Sequence, residues 1–149
     1  MAEFRLRDPD YERRVHESFA RQRAMSTFGA RLLRVSPGRV EIGMAFGEGL
    51  SQQHGYLHAG VTAALVDSAC GYAALTLSEP GREVLSVEFK LNLLAPAAGE
   101  EFVARARVVR AGRNVTVCAG DLFALKGGAE KIVATMLATM MTVGADGRQ

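Results

Sequence analysis

Across the thirty residues from Gly49 to Ser78, Asp67 is the one side chain with a formal charge, histidines set aside. A carboxylate among Ala, Val, Leu and Gly is costly to bury unless it is paired, hydrogen-bonded or neutralised. No Lys or Arg lies within a helical turn or two of it in sequence, so any partner comes from elsewhere in the fold. Such a group is a candidate general base or nucleophile. Immediately upstream runs Gln52-Gln53-His54-Gly55-Tyr56-Leu57-His58-Ala59-Gly60. If the apolar stretch after it is a helix, the first amides have no partner inside that helix and carry the positive end of its dipole. Donors placed there can stabilise an oxyanion developing on a carbonyl. The bland alternatives are a polar loop that only caps a helix, and an Asp that only bonds backbone amides.

Other chemistries find less support. His54 and His58 are spaced i, i+4, but they flank a glycine-containing loop and have no third ligand nearby, so no metal is expected. Cys70 and Cys118 form no CxxC pair and fall in apolar segments, which reads as two buried thiols in a reducing compartment. GxSxG, P-loop, HExxH and GxGxxG patterns are absent. The first residues lack a signal-peptide core. The longest strongly apolar run near the end, Ile132 to Val143, has 12 residues, short of the ~20 that span a bilayer. A cytoplasmic location without membrane attachment is expected. The formal charge of +2 argues against a nucleic-acid partner. Arg105, Arg107, Arg110 and Arg113 read as a solvated face, or else as contacts for an acidic ligand such as coenzyme A.

Positioning these groups requires particular elements. At 149 residues, 48% hydrophobic and 23% charged, the chain has the length and composition of one globular domain. Asp8-Pro9 reads as a helix start, with Asp as N-cap and Pro at the first helical position. Tyr11, Val15 and Phe19 then form one apolar stripe on a helix to about Met25. Ser36-Pro37-Gly38-Arg39 reads as the turn of a hairpin between Leu32–Val35 and the alternating Val40, Ile42, Met44 and Phe46. Ala59 to about Leu77 reads as a helix apolar nearly all round, hence buried on every side. Gly60, Ala63, Ala64, Asp67, Cys70, Gly71 and Ala74 share one small-residue face of it, against which a backbone or a ligand can lie closely. From Glu83 to Leu94 strict alternation puts Leu85, Val87, Phe89, Leu91 and Leu93 on one face, and Ser86, Glu88, Lys90 and Asn92 on the other. Three further strands follow. The expected class is α+β, a long antiparallel sheet wrapped around one buried helix. An extension at 1–28 precedes the domain at 29–144, and a tail follows at 145–149.

Read as Gln, five residues, His-Ala-Gly, six residues, Asp, the segment from Gln52 to Asp67 resembles the signature of hotdog-fold acyl-CoA thioesterases. Within them it is most similar to the phenylacetate-pathway (PaaI-like) branch, which carries Asn or Gln, then His-Gly-Gly, then Asp or Glu nine residues after the His. The resemblance implies a hotdog fold from about Gly29 to Val143 and an acyl-CoA substrate of small or medium acyl or aryl type. By the same resemblance Asp67 matches the carboxylate that attacks the thioester carbonyl or activates the attacking water. Gln52 matches the amide that contacts thioester or water, and His58 the histidine that shapes the loop. Ala59 matches the glycine whose N–H forms the oxyanion hole, and Ser86 the strand hydroxyl that helps hold the water. Gly60, Tyr56 and Arg113 join them as substrate-contacting candidates.

The departure is Ala59, where that branch has Gly; a position demanding positive φ would strain alanine by roughly 1 kcal/mol or more. The resemblance also implies a homodimer, commonly assembled into a homotetramer, in which the loop of one subunit faces the helix carboxylate of another. No cofactor is implied beyond the coenzyme A of the substrate. Two competing readings remain at this level. A hotdog enoyl-CoA hydratase or dehydratase would pair His with an acid in other local motifs, which this chain lacks. A non-catalytic acyl-CoA-binding protein would use the same pocket without releasing thiol.

Overall fold

The computed structural model describes residues 4–145; the expected tail lies outside them from residue 146 on. The elements run α1 (Tyr11–Arg21), α2 (Arg23–Thr27), β1 (Arg31–Ser36), β2 (Arg39–Ala45), α3 (Ala59–Leu75), β3 (Arg82–Leu93), β4 (Glu101–Ala111), β5 (Val115–Lys126) and β6 (Ala129–Gly144). The six strands form one antiparallel sheet in the order β1-β2-β4-β5-β6-β3, wrapped around α3. This is the expected α+β arrangement. Alternation sets it up: Val40, Ile42 and Met44 on β2, Phe102 and Ala104 on β4, Cys118 and Leu122 on β5, and Ala134, Met136, Ala138 and Met140 on β6 are all buried, each at every second or fourth position facing the helix. At Gly120 a Cβ would lie 2.7 Å from Val66 and 2.9 Å from Cys70 Sγ, so this glycine lets α3 lie directly on the sheet. Burial pushes both thiols up, Cys118 to about 12, which leaves them as inert packing groups. Among the described residues no helix is long and apolar enough to cross a membrane.

Three expectations change in detail. The first helix starts at Tyr11 with Asp10 as N-cap, not at Pro9. Asp8 is buried and accepts from the Asp10 N–H at 2.9 Å, while its Oδ2 lies 3.2 Å from Arg14 Nε. Arg14 in turn donates to the carbonyl oxygens of Leu75 (3.1 Å), Ser78 (3.0 Å) and Glu79 (2.7 Å). A guanidinium thus caps the negative end of α3 and anchors α1 upon it. The helical run is also broken at Gln22, whose extended ψ of 93° separates α1 from α2.

Secondly, α3 is not buried on every side. Ala63, Ala64, Asp67 and Gly71 remain partly exposed, a stripe of small side chains open beside β3. Thirdly, strict alternation fails in β3. The pairing with β6 slips between Ser86 and Glu88, so Val87 sits in a bulge. Ser86 pairs with Met140, and Phe89 with Ala138, both buried. Ser86 therefore shares the inner face with Phe89, Leu91 and Leu93 rather than the outer face with Glu88 and Lys90.

Candidate active site

That bulge delivers the site's first contact. With Ser86 turned inward, its hydroxyl donates to Asp67 Oδ1 at 2.7 Å, and Met140 Sδ lies 3.4 Å from Ser86 Oγ. One hydroxyl has one proton, and here the carboxylate takes it. No Lys or Arg forms an ion pair with Asp67 among the described residues. The carboxylate is partly exposed and opens on a cavity of about 140 Å³ that Ser86, Ser68, Gly71, Tyr72, Gln22 and Glu83 also line. Two carboxylate oxygens, one held and one free to work on a bound molecule, suit a base or nucleophile.

The second half of the site is the loop before α3. Gln52 Oε1 accepts from the backbone N–H groups of His54 (2.5 Å) and Tyr56 (3.2 Å). The Gln52 N–H donates to Tyr56 O at 2.8 Å, across a turn that Gly55 makes at φ +83°, a conformation glycine adopts without strain. With its oxygen occupied by its own loop, the Gln52 amide presents its NH₂ outward as a donor. His58 is the N-cap of α3, and its Nδ1 accepts from the Gly60 N–H at 2.8 Å. The Val61 and Thr62 N–H groups donate to His58 O. Ala59 is then the first-turn residue whose N–H has no partner among the described residues. No non-glycine described residue has positive φ, so alanine fits this position without the strain a left-handed backbone would impose. Gln52, Tyr56 and Ala59 line one cavity, of about 440 Å³, with Leu93, Leu94 and Pro96.

These two halves do not meet within one chain. Asp67 lies eight positions after Ala59, about 12 Å along a helix rising ~1.5 Å per residue. One thioester carbonyl cannot touch both. Each half opens on its own cavity, and the cavities have no lining residue in common. Arg113 stands apart from both. It is exposed and lines a further cavity near the C-terminal end of α3 with Arg7 and Arg82. Between the halves runs β3, an edge strand with Leu85, Val87, Phe89 and Leu93 each about half exposed. An apolar strand edge of this kind invites pairing with another chain. Sequence reasoning passed over Gln22 and Arg14, whose only local signal was a polar residue where the helical stripe ends and an Arg on its flank.

A long antiparallel sheet around one helix, with candidate catalytic groups at the helix start and middle, is the architecture of the hotdog-fold thioesterases. The family model of the thioesterase superfamily matches residues 54–131, and the chain belongs to this superfamily. A thioesterase family protein from Silicibacter pomeroyi of known structure is 50% identical, with TM-score 0.89 over 90% of this chain and 98% of that one. Acyl-coenzyme A thioesterase 13 of Homo sapiens is 34% identical over 92 residues, which are 61% of this chain and 65% of the human protein. The PaaI protein of the Escherichia coli phenylacetic acid degradation operon is 19% identical and shares the fold, with TM-score 0.80 over 91% of this chain and 94% of that one.

Proposed function

We propose that this protein is an acyl-CoA thioesterase that hydrolyses a small or medium acyl or aryl-acyl thioester to the free acid and coenzyme A. Asp67 takes a proton from water, whose oxygen adds to the thioester carbonyl; alternatively its free oxygen adds directly and water then cleaves the acyl-enzyme. In either route the carbonyl oxygen becomes an oxyanion held by the Ala59 N–H. Collapse of the adduct breaks the C–S bond, and the thiolate of coenzyme A leaves and takes up a proton. The Gln52 NH₂ orients thioester or water, Ser86 fixes one oxygen of Asp67, and His58 and Gly60 shape the donor turn. Tyr56, which lines the cavity beside Ala59, contacts the substrate. The cycle draws on protein groups and water alone, and two buried thiols suit a reducing, cytoplasmic setting.

The observation that carries this reading is the pairing of an open, Ser86-bonded carboxylate with a partnerless amide at the start of the same helix. Their ~12 Å separation means that the working site joins Asp67 of one chain to Ala59 of another. Two copies pairing β3 edges antiparallel about a two-fold near Phe89 and Lys90 bring the Ser86 end of one strand opposite the Leu93 end of the other. That pairing covers the exposed apolar side chains and the open stripe of α3, and it makes a symmetric dimer with two equivalent sites; two such dimers give a tetramer. The test is a panel of acyl- and aryl-CoA thioesters assayed with a thiol-trapping dye, with the oligomer measured by light scattering. Release of thiol by a dimer or tetramer supports the reading. Binding without release, or a monomer that hydrolyses, overturns it.

A further inference from the structure

Thr62 carries a hydroxyl for which the cycle above has no use. The residue is 1% exposed, and its Oγ1 is a buried oxygen with no hydrogen-bond partner among the described residues. The usual outlet for a helical threonine, the carbonyl four residues back, is taken. His58 O already accepts from the Val61 N–H at 3.0 Å and from the Thr62 N–H at 3.1 Å, one for each lone pair. A hydroxyl buried in this way costs stability that a valine of the same shape would not. Thr62 lines the cavity of about 440 Å³ at the start of α3. Helical side chains lean toward the N-terminus, so it covers the turn that begins with Ala59, three positions before it. Leu57, Leu93, Leu94, Pro96 and Val133 make much of the remaining wall.

We propose that Thr62 is a further catalytic residue, whose hydroxyl donates to the thioester sulfur and holds the negative charge that collects there as the C–S bond breaks. This rests on the thioesterase reading, which sets the carbonyl oxygen against the Ala59 N–H. Sulfur and oxygen hang on one carbon, so an oxygen held at the first amide can place the sulfur beside a side chain one turn further on. As the adduct collapses, the electron pair of the C–S bond passes to sulfur and the carbonyl re-forms. Thr62 keeps its own proton, and the thiolate takes one from solvent. A thioester sulfur is a weak acceptor and a thiolate a strong one. The bond therefore gains strength as charge develops, the condition for raising kcat. Leucine, proline and valine walls offer such a charge nothing, and Tyr56, the other hydroxyl on this cavity, is 38% exposed.

The experiment measures kcat/KM for two benzoyl thioesters, one of N-acetylcysteamine and one of 4-nitrothiophenol, with wild type, Thr62→Val and Thr62→Ser. The alkyl thiolate leaves with its charge on sulfur, whereas the nitroaryl thiolate spreads it over the ring and needs little help. Thr62→Val is expected to lose about tenfold or more on the alkyl thioester and less than about threefold on the nitroaryl one. Its melting temperature should equal or exceed that of wild type, and Thr62→Ser should recover most of the lost rate. A residue that only packs lowers both thioesters alike or neither, and either result overturns the proposal. So does a serine variant no better than valine. Ionisation of the thiol of bound coenzyme A is followed beside it by thiolate absorbance. It is expected about one pH unit lower in wild type than in Thr62→Val, the same tenfold factor. That shift without hydrolysis of either thioester sustains Thr62 as a thiolate donor while removing the catalytic reading. Hydrolysis with an unmoved ratio removes Thr62 alone, and neither hydrolysis nor shift removes both.

Discussion

The two halves of the site are built from different materials. In the proposed cycle the work at the start of α3 falls to the backbone: the N–H of Ala59, a cap from His58 to Gly60, and a loop that uses the oxygen of Gln52 for its own folding. At the middle of α3 the same cycle relies on two side chains, Asp67 and Ser86, brought together by a bulge in a strand. Side-chain chemistry is removed by any substitution that changes the functional group. Backbone chemistry survives nearly all of them, so alanine at position 59 keeps the N–H that the proposed cycle uses. The two halves should therefore respond to mutation in opposite ways, and each can be broken selectively.

The largest effect is expected at Asp67. Asn keeps the shape and the contact to Ser86 but abolishes the base, and turnover should fall by ~10²–10⁴, with thermal melting nearly unchanged because the group is partly exposed. A variant that keeps a tenth of wild-type turnover would remove Asp67 from the mechanism. For the opposite half, the informative change is Ala59→Pro. Proline at the first helical position deletes one N–H and little else, and His58 already has the φ of −62° and ψ of 137° that a residue before proline prefers. Loss of one oxyanion donor predicts a fall of ~10²–10³ in kcat, whereas Ala59→Gly should stay close to wild type.

Mixing the two dead variants sharpens the comparison further. In a dimer of one Asp67→Asn chain and one Ala59→Pro chain, one site carries both lesions and the other carries neither. Random re-pairing should then restore about a quarter of wild-type activity. A site confined to single chains would restore none. Ser86→Ala comes next: it leaves the carboxylate in place but frees its second oxygen, and a charge-assisted hydrogen bond of ~1.5–3 kcal/mol sets an upper bound of ~10–150-fold on the loss in kcat, with KM little changed.

How far these features were legible in the sequence follows the same division. The sheet and α3 could be read from alternation and from an apolar run, because both are local patterns. Asp67 stood out as a lone charge, and the donor turn as the polar segment before a helix. Ser86 is legible only through the family resemblance. Alternation puts it on the polar face with Glu88 and Lys90, whereas a one-residue bulge, which leaves no mark in composition, turns it to the face of Phe89, Leu91 and Leu93. The exposed stripe of α3 was hidden for a related reason. Small apolar residues look alike whether they face a core or await a second chain, so Ala63 and Gly71 read as buried. Gln22 and Arg14 were silent because their partners, Ser68, Tyr72 and the carbonyls ending α3, are far away in sequence.

The smallest effect expected is at His58, and it separates chemistry from architecture at the donor end. Nδ1 accepts from the Gly60 N–H, which is the task of an N-cap, and Asn is among the residues that do it best. If capping is the whole role, His58→Ala should cost about 1 kcal/mol of stability and reduce turnover only a few-fold. The freed Gly60 amide then competes with Ala59 for the developing oxyanion and loosens the first turn. His58→Asn should restore both, because an amide oxygen replaces the ring nitrogen at the same N–H. A histidine that moved protons would instead be irreplaceable, and Asn would do no better than Ala in turnover while still rescuing the melting temperature. The split between those two measurements in the Asn variant decides whether the donor half contains any side-chain chemistry beyond Gln52 and Thr62.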